Sequence, residues 1–291
     1  MLVEALESVR RQSWPEVEHC VVDGGSTDGT LELLARRSDV RVIGGPDQGI
    51  YDALNKGLAA ATGDVIGFLN SDDFYEKGAF EAAATAFARS SECDSVCGAA
   101  RLVAGGEEVE RYSRDEDKRL SPRTALLGSC VLNARFFRRS VFDRLGVFSL
   151  RYRVVADREF LLRVTLAGLK TQPIGDLVYT YRRHHASLTF SGDVQNRPLV
   201  WRDLLTLAQD YCESNGVPEE ARRIARALEG RCIGRLVQTE LRQGHLWQAC
   251  RLLAEKNEML SLSPLKALAA GLVDAAKSRG GQLQFRAIQQ S

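Results

Sequence analysis

Three short apolar runs, each closed by an acidic or glycine-rich turn and each followed by a helical stretch, constrain this chain most. Residues 19–22 end in Asp23-Gly24-Gly25-Ser26. Residues 40–43 end in Gly44-Gly45-Pro46-Asp47-Gln48-Gly49, and residues 64–69 run into Asn70-Ser71-Asp72-Asp73. Apolar residues at helical spacing follow at 31–37, 51–61 and 77–89, with Thr27 or Asp28 as the cap of the first. An earlier helix over residues 2–9 ends at Trp14-Pro15. Strand and helix in alternation predict an α/β fold, a doubly wound and mostly parallel sheet. Ligands of such sheets sit beyond the carboxyl ends of the strands. Asp23 and Asp72 both fall there, so one rim is expected to carry both acidic clusters.

The chain's 291 residues suffice for one large α/β domain and an appendage. Its 39 basic and 38 acidic residues leave a formal net charge of +1, without the basic excess that a nucleic-acid partner usually requires. Seven cysteines, an odd count in no framework, point to reduced thiols and a cytoplasmic setting. Cys93 and Cys97 are the closest pair; without a second pair they read as small apolar residues near a strand rather than as zinc ligands. The N-terminus lacks the cationic and apolar pattern of a secretory signal. The most apolar stretch, 260–273, is short of the ~20 residues of a spanning helix and contains Pro264 and Lys266.

Further along, residues 107–119 are dense in charge and read as a solvated loop. Residues 126–133 read as a strand, 138–145 and 156–166 as helices, and 171–181 as one or two strands. Beyond residue 196 the pattern is helical throughout, at 199–211, 219–242, 247–256 and 265–277. The expected division is therefore a domain over 1–195 and a helical region over 196–291. Arg222, Arg223, Arg226, Arg231 and Arg235 give one of these helices a basic character. That suits peripheral contact with an anionic membrane surface or a lipid-linked acceptor; a solvated face is the preferred reading.

Two segments carry chemistry. Asp72 and Asp73 are adjacent carboxylates at a strand end, where they repel and lose solvation. A divalent cation relieves both, and hard oxygen ligands suit Mg²⁺ or Mn²⁺, which also bridge diphosphate oxygens. The competing reading is the acidic first turn of a capped helix. In the second segment, Asp23-Gly24-Gly25-Ser26-Thr27-Asp28-Gly29-Thr30, glycines let backbone approach a ligand closely, and Asp23 can accept hydrogen bonds from a base or ribose. It is neither a Walker loop nor a Rossmann fingerprint. A tight turn before a capped helix is the competing reading.

Together these segments resemble the signatures of family 2 glycosyltransferases of the GT-A fold. Val21-Val22-Asp23-Gly24-Gly25-Ser26-Thr27-Asp28-Gly29-Thr30 is similar to the first. Pro46-Asp47-Gln48-Gly49-Ile50-Tyr51-Asp52-Ala53-Leu54-Asn55-Lys56-Gly57, followed by residues 62–73, is similar to the central block. The likeness is close over residues 6–80, looser to about 187, and does not reach the C-terminal helices. It implies a nucleotide pocket with Asp23 against the base, flanked by Gly25 and Ser26, and with Asp47 and Asn55 in its lining. Asp72 and Asp73 match the family's Asp-x-Asp region, which holds ribose and metal; of the two, Asp73 is the first choice of ligand. Asn70 stands where many members carry an acid, which shifts some ribose contact.

Inverting transfer also needs a base for the acceptor hydroxyl, worth roughly 10²–10⁴ in rate. Ala156-Asp157-Arg158-Glu159-Phe160 resembles the family's acceptor-side acidic motif, which makes Asp157 the base and Glu159 its reserve. His184-His185 departs from the family's pattern; neighbours on a strand face opposite ways, so at most one reaches the site. Family members begin with a strand ahead of the first helix, and Met1 falls inside that helix, so a further upstream strand is expected. The function implied is transfer of a sugar from a UDP-, GDP- or dTDP-linked donor to a saccharide or lipid-linked acceptor, in cell-surface polysaccharide or glycolipid synthesis at the inner face of the membrane. A nucleotidyltransferase, and a truncated relative with only a binding role, are the alternatives.

Overall fold

The computed structural model describes residues 1–129, 131–184 and 198–259. Helix α1 (Leu2–Arg10) buries Ala5, Leu6 and Val9, one stripe at helical spacing. Strand β1 (Cys20–Asp23), helix α2 (Thr30–Ala35), strand β2 (Arg41–Gly44), helix α3 (Ile50–Ala60) and strand β3 (Val65–Gly67) follow as the sequence alternation predicts. Next come β4 (Phe74–Tyr75), α4 (Ala79–Arg89), β5 (Ser95–Ala104) and β6 (Glu107–Tyr112). The two short helices α5 (Asp115–Lys118) and α6 (Pro122–Leu127) lead to β7 (Arg135–Arg138), α7 (Arg139–Leu145), α8 (Ala156–Leu166) and β8 (Thr171–Arg183).

The α/β class holds, and the pairing is more mixed than alternation alone implies. β1 and β2 form a parallel two-stranded sheet of their own. The larger sheet runs β3-β7-β5-β8-β4, with β6 attached to β5. Within it β5 and β8 are parallel, while β3–β7, β5–β7, β4–β8 and β5–β6 are antiparallel. The local cause is clearest at β5–β6. Gly105 and Gly106 have φ of 62° and 90°, and a two-residue turn with both central φ positive returns the chain antiparallel beside itself.

Two expectations are corrected. Residues 107–112 are a strand, β6, and its exposed charged side chains keep an edge strand from further pairing. Residues 126–133 are not a strand: α6 occupies 122–127 and a 3₁₀ turn covers Leu132–Ala134. The start signal outweighs the apolar run here, because Ser121 and Thr124 form a reciprocal capping box and Pro122 opens the helix. Gly128 closes it, since a side chain there would meet the Thr124 carbonyl.

Phe136 and Phe137 point to opposite faces of β7 and so to two cores. Phe136 packs with Tyr75, Tyr179 and the alanines of α4. Phe137 joins Phe68, Phe142, Phe148 and Phe160, with Phe142 stacked on Phe160 at 4.9 Å. Helices α9 (Pro198–Glu213) and α10 (Glu219–Arg242) contribute Trp201, Leu204, Leu207, Ile224 and Leu228 to that second core. The described part of the helical region is thus packed into the α/β body; α11 (Leu246–Met259) follows it, and the helix expected at 265–277 lies outside the described residues.

Candidate active site

At the end of β1 the Asp23 carboxylate turns back on its own loop. Its Oδ1 accepts the backbone N–H groups of Gly25 (2.9 Å) and Ser26 (2.8 Å). These bonds, that of Ser26 first, hold Asp23 below the ordinary carboxylate pKa. Gly25 has φ of 112°, a conformation that favours glycine. The loop after β2 meets this one: a side chain on Gly24 would collide with the Asp47 carboxylate. Asp47 Oδ1 in turn accepts the Gly49 N–H at 2.9 Å. Asp23, Gly25, Ser26 and Asp47 therefore share one rim.

The two neighbouring acids of the third loop part company. Asp73 is buried, and three donors hold it: Tyr179 O–H and Asn70 Nδ2 at Oδ2 (both 2.9 Å), and the Arg182 N–H at Oδ1 (2.8 Å). Burial pushes its pKa up to about 6, and the charge of Asp72 acts in the same direction against the hydrogen bonds. Asp72 is partly exposed, with Oδ2 2.9 Å from His184 Nε2. The two carboxylates expected to hold a cation thus differ in setting: Asp73 is enclosed by donors, while Asp72 is the more open of the two and lies beside an imidazole. Asn70 explains part of the difference, because an amide donates to Asp73 where an acid would repel it. Among the described residues no three His, Cys, Asp or Glu gather into a complete ligand set.

Asp157 opens α8, partly exposed, and the Tyr51 hydroxyl donates to its Oδ1 at 2.9 Å. Burial raises its pKa, opposed by the charge of Arg158 and by the Tyr51 bond. Arg158 itself is held by carbonyls at the end of α6, those of Ala125 (3.2 Å) and Gly128 (2.9 Å). Glu159 is no reserve base: it is buried, paired with Arg163 at 2.8 Å, and accepts from Tyr211 at 3.1 Å. Asn55, expected in the pocket lining, binds the Phe148 backbone with both ends of its carboxamide, at 2.9 and 3.0 Å, and so braces the segment after α7. Burial raises the pKa of Tyr181, and the charges of Asp73 and Asp157 act in the same direction.

The profile of glycosyl transferase family 2 matches residues 1–160. The chain belongs to glycosyl transferase family 2. A PGL/p-HBAD biosynthesis glycosyltransferase of Mycobacterium bovis (strain BCG / Pasteur 1173P2) is 34% identical over 176 residues, which is 56% of this chain and 64% of that protein. The match thus spans just under two thirds of that relative's length. The crystal structure of S. aureus TarS 1-349 in complex with UDP-GlcNAc superimposes with a TM-score of 0.62 at 19% identity, over 97% of this chain and 88% of that one. The mannosyltransferase PcManGT from Pyrobaculum calidifontis, in complex with GDP-Man and Mn2+, gives 0.58 at 19%, over 96% and 82%. These likenesses establish the GT-A fold.

Within this family 2 chain, sequence reasoning missed Tyr51, Asn133 and Tyr179 as parts of the site. Tyr179 O–H donates to Asp73 while accepting from the Asn70 N–H (3.2 Å) and from Asn133 Nδ2 (3.1 Å). Tyr51 lay in plain view inside the central block; its partner, 106 residues away, was the hidden half.

Proposed function

We propose that the protein transfers a sugar, with inversion, from a nucleoside-diphosphate donor to an acceptor hydroxyl. The observation that carries this reading is a set of acidic side chains at loop and helix starts: Asp23 and Asp47 on two converging loops, Asp72 beside His184, and Asp157 on Tyr51, with Tyr181 within reach of the charges of Asp73 and Asp157. Asp23 and the loop with Gly25 and Ser26 hold the base and ribose; Asp47 lines the same pocket. Asp157 accepts the proton of the acceptor hydroxyl as its oxygen attacks the anomeric carbon and the bond to the diphosphate breaks. Its burial keeps it a better base than an open carboxylate, a contribution of about 10²–10⁴ in rate.

Asp72 and His184 fit a divalent cation, since a carboxylate and an imidazole converge at 2.9 Å on the open side of the loop. Mg²⁺ or Mn²⁺ needs only one or two protein ligands when diphosphate oxygens complete its shell. Such an ion, when bound, would supply charge stabilisation for the departing diphosphate. Asp73 stays inside and fixes the loop against β8. The Mn2+ in the mannosyltransferase structure supports this use of a metal.

UDP-, GDP- and dTDP-sugars are the donor classes to test, supported by the UDP-GlcNAc and GDP-Man in the two similar structures. The PGL biosynthesis relative supports a lipid-linked or saccharide acceptor of the cell surface. On this reading the reaction takes place at the cytoplasmic face of a membrane, reached by peripheral contact. Among the described residues no helix is long and apolar enough to cross a membrane. The test is donor turnover across the three nucleotide classes with Mn²⁺ or Mg²⁺. One class is expected to release nucleoside diphosphate, and Asp72→Ala to abolish the release. Absence of both metal-dependent binding and turnover in every class would leave a binding role only.

A further inference from the structure

We propose that Tyr51 is the positioning residue for Asp157, its hydroxyl fixing the carboxylate of the base from the donor side of the site. The inference rests on the reading of Asp157 as base. Tyr51 stands on the first turn of α3, directly after the loop that carries Asp47, and is only 8% exposed. Its ring lies 5.7 Å from that of Phe148, and its hydroxyl reaches Asp157 Oδ1 at 2.9 Å. Four residues on, and so on the same helix face, Asn55 grips the Phe148 backbone through both ends of its carboxamide. One face of α3 thus holds, by three hydrogen bonds, the segment that leads into α8 and the acid at its start.

The hydroxyl is what needs explaining. A phenylalanine would serve the ring contact with Phe148 equally well. A buried phenol must find a partner, and this one finds the carboxylate that the acceptor needs. Asp157 is faced by Tyr51 from α3 and by Tyr181 from β8, with Arg158 beside it on α8. Arg158 is engaged by the carbonyls of α6. Among the described residues Tyr51 makes the one side-chain hydrogen bond to Asp157. Together with the backbone N–H groups at the start of α8, it sets which way the carboxylate faces. It also favours the charged form against burial, which raises the pKa of Asp157. Because α3 begins where the loop of Asp47 ends, the base is oriented by the element that also shapes the donor pocket.

The test is the pH dependence of transfer in wild type, Tyr51→Phe, Tyr51→Gln, Asp157→Ala and the double variant Tyr51→Phe/Asp157→Ala. Phenylalanine keeps the ring, so the fold should melt as wild type. Its kcat is expected to fall about ten-fold, the value of a hydrogen bond to a charged group, with donor KM unchanged. The base works only when deprotonated. Losing a donor to the charged form raises its pKa further, so the acid limb of kcat should move to higher pH. Tyr51→Gln, which restores a donor, should return the limb toward its wild-type position. In the Asp157→Ala background Tyr51→Phe should cause no further loss. An unmoved limb, or losses that multiply in the double variant, would overturn the proposal. Full transfer by Asp157→Ala would remove the base assignment itself, and this inference with it, whatever the tyrosine variants do.

Discussion

Val96 in β5 and Val178 in β8 have no exposed surface, whereas Val42 in β2 is 38% exposed and Val65 in β3 is 39% exposed. The donor side of the molecule, with β1, β2 and their loops, contributes no residue of either strand to the two buried clusters. Among the described residues β1 has one strand partner and β3 has one. Its loops are shaped by hydrogen bonds of short reach: Asp23 to Gly25 and Ser26, Asp28 to Thr30, Asp47 to Gly49, and Asp52 to the N–H of Gln48. The acceptor side is the reverse. Asp157 and Asn55 are each held by partners about a hundred residues away, over a core of phenylalanines. Local bonding sets the shape of a loop with little burial behind it; packing sets the direction of a side chain. On the proposed reading, the donor pocket is expected to be the pliable half and the base the rigid half.

The largest effect that follows is catalytic. Asp157→Ala should lower kcat by about 10²–10⁴ while leaving thermal stability near wild type, measured by steady-state transfer and calorimetry. Next is a pair of truncations that sets the two sides against each other. Phe160→Ala should cost about 3–5 kcal/mol in denaturant unfolding, as it opens a cavity against the rings of Phe137, Phe142 and Phe148. Val42→Ala should change stability by less than about 1 kcal/mol. Equal losses at the two positions would break the comparison.

A donor nucleotide with Mn²⁺ at a hundred times its Kd should add about 2.7 kcal/mol to stability. Amide exchange should show that protection first in β1, β2 and their loops rather than in β5 and β8. The smallest effect is expected from Gly24→Ala. Its methyl group would displace Asp47, so the donor Kd should rise several-fold without a change in melting temperature.

The alternation of strand and helix, the loops at 23–26 and 70–73, and the helices 138–145, 156–166 and 219–242 were legible because each is coded within a few residues. Strand β6 and helix α6 were misread for the same reason in reverse. Charge hid an edge strand, and an apolar run outweighed the Ser121-Pro122 start signal that decides the segment. The candidate site was legible in its residue types and not in their roles. Nothing local distinguishes Asp72 from Asp73; the arrival of Tyr179 and Arg182 on β8 turns one inward and leaves the other beside His184. Asn55 and Glu159 look like site residues in one dimension. Phe148, and Arg163 with Tyr211, claim them in three.

The central claim is that donor holding and proton removal belong to separate sides of one site. The most direct measurement is calorimetric titration of the turned-over nucleotide, with and without Mn²⁺, into wild type, Asp72→Ala and Asp157→Ala, with transfer assayed on the same samples. Asp157→Ala is expected to bind as wild type and fail to transfer, while Asp72→Ala loses the metal-dependent part of binding. Loss of nucleotide binding in Asp157→Ala, or unchanged metal dependence in Asp72→Ala, would contradict the central claim.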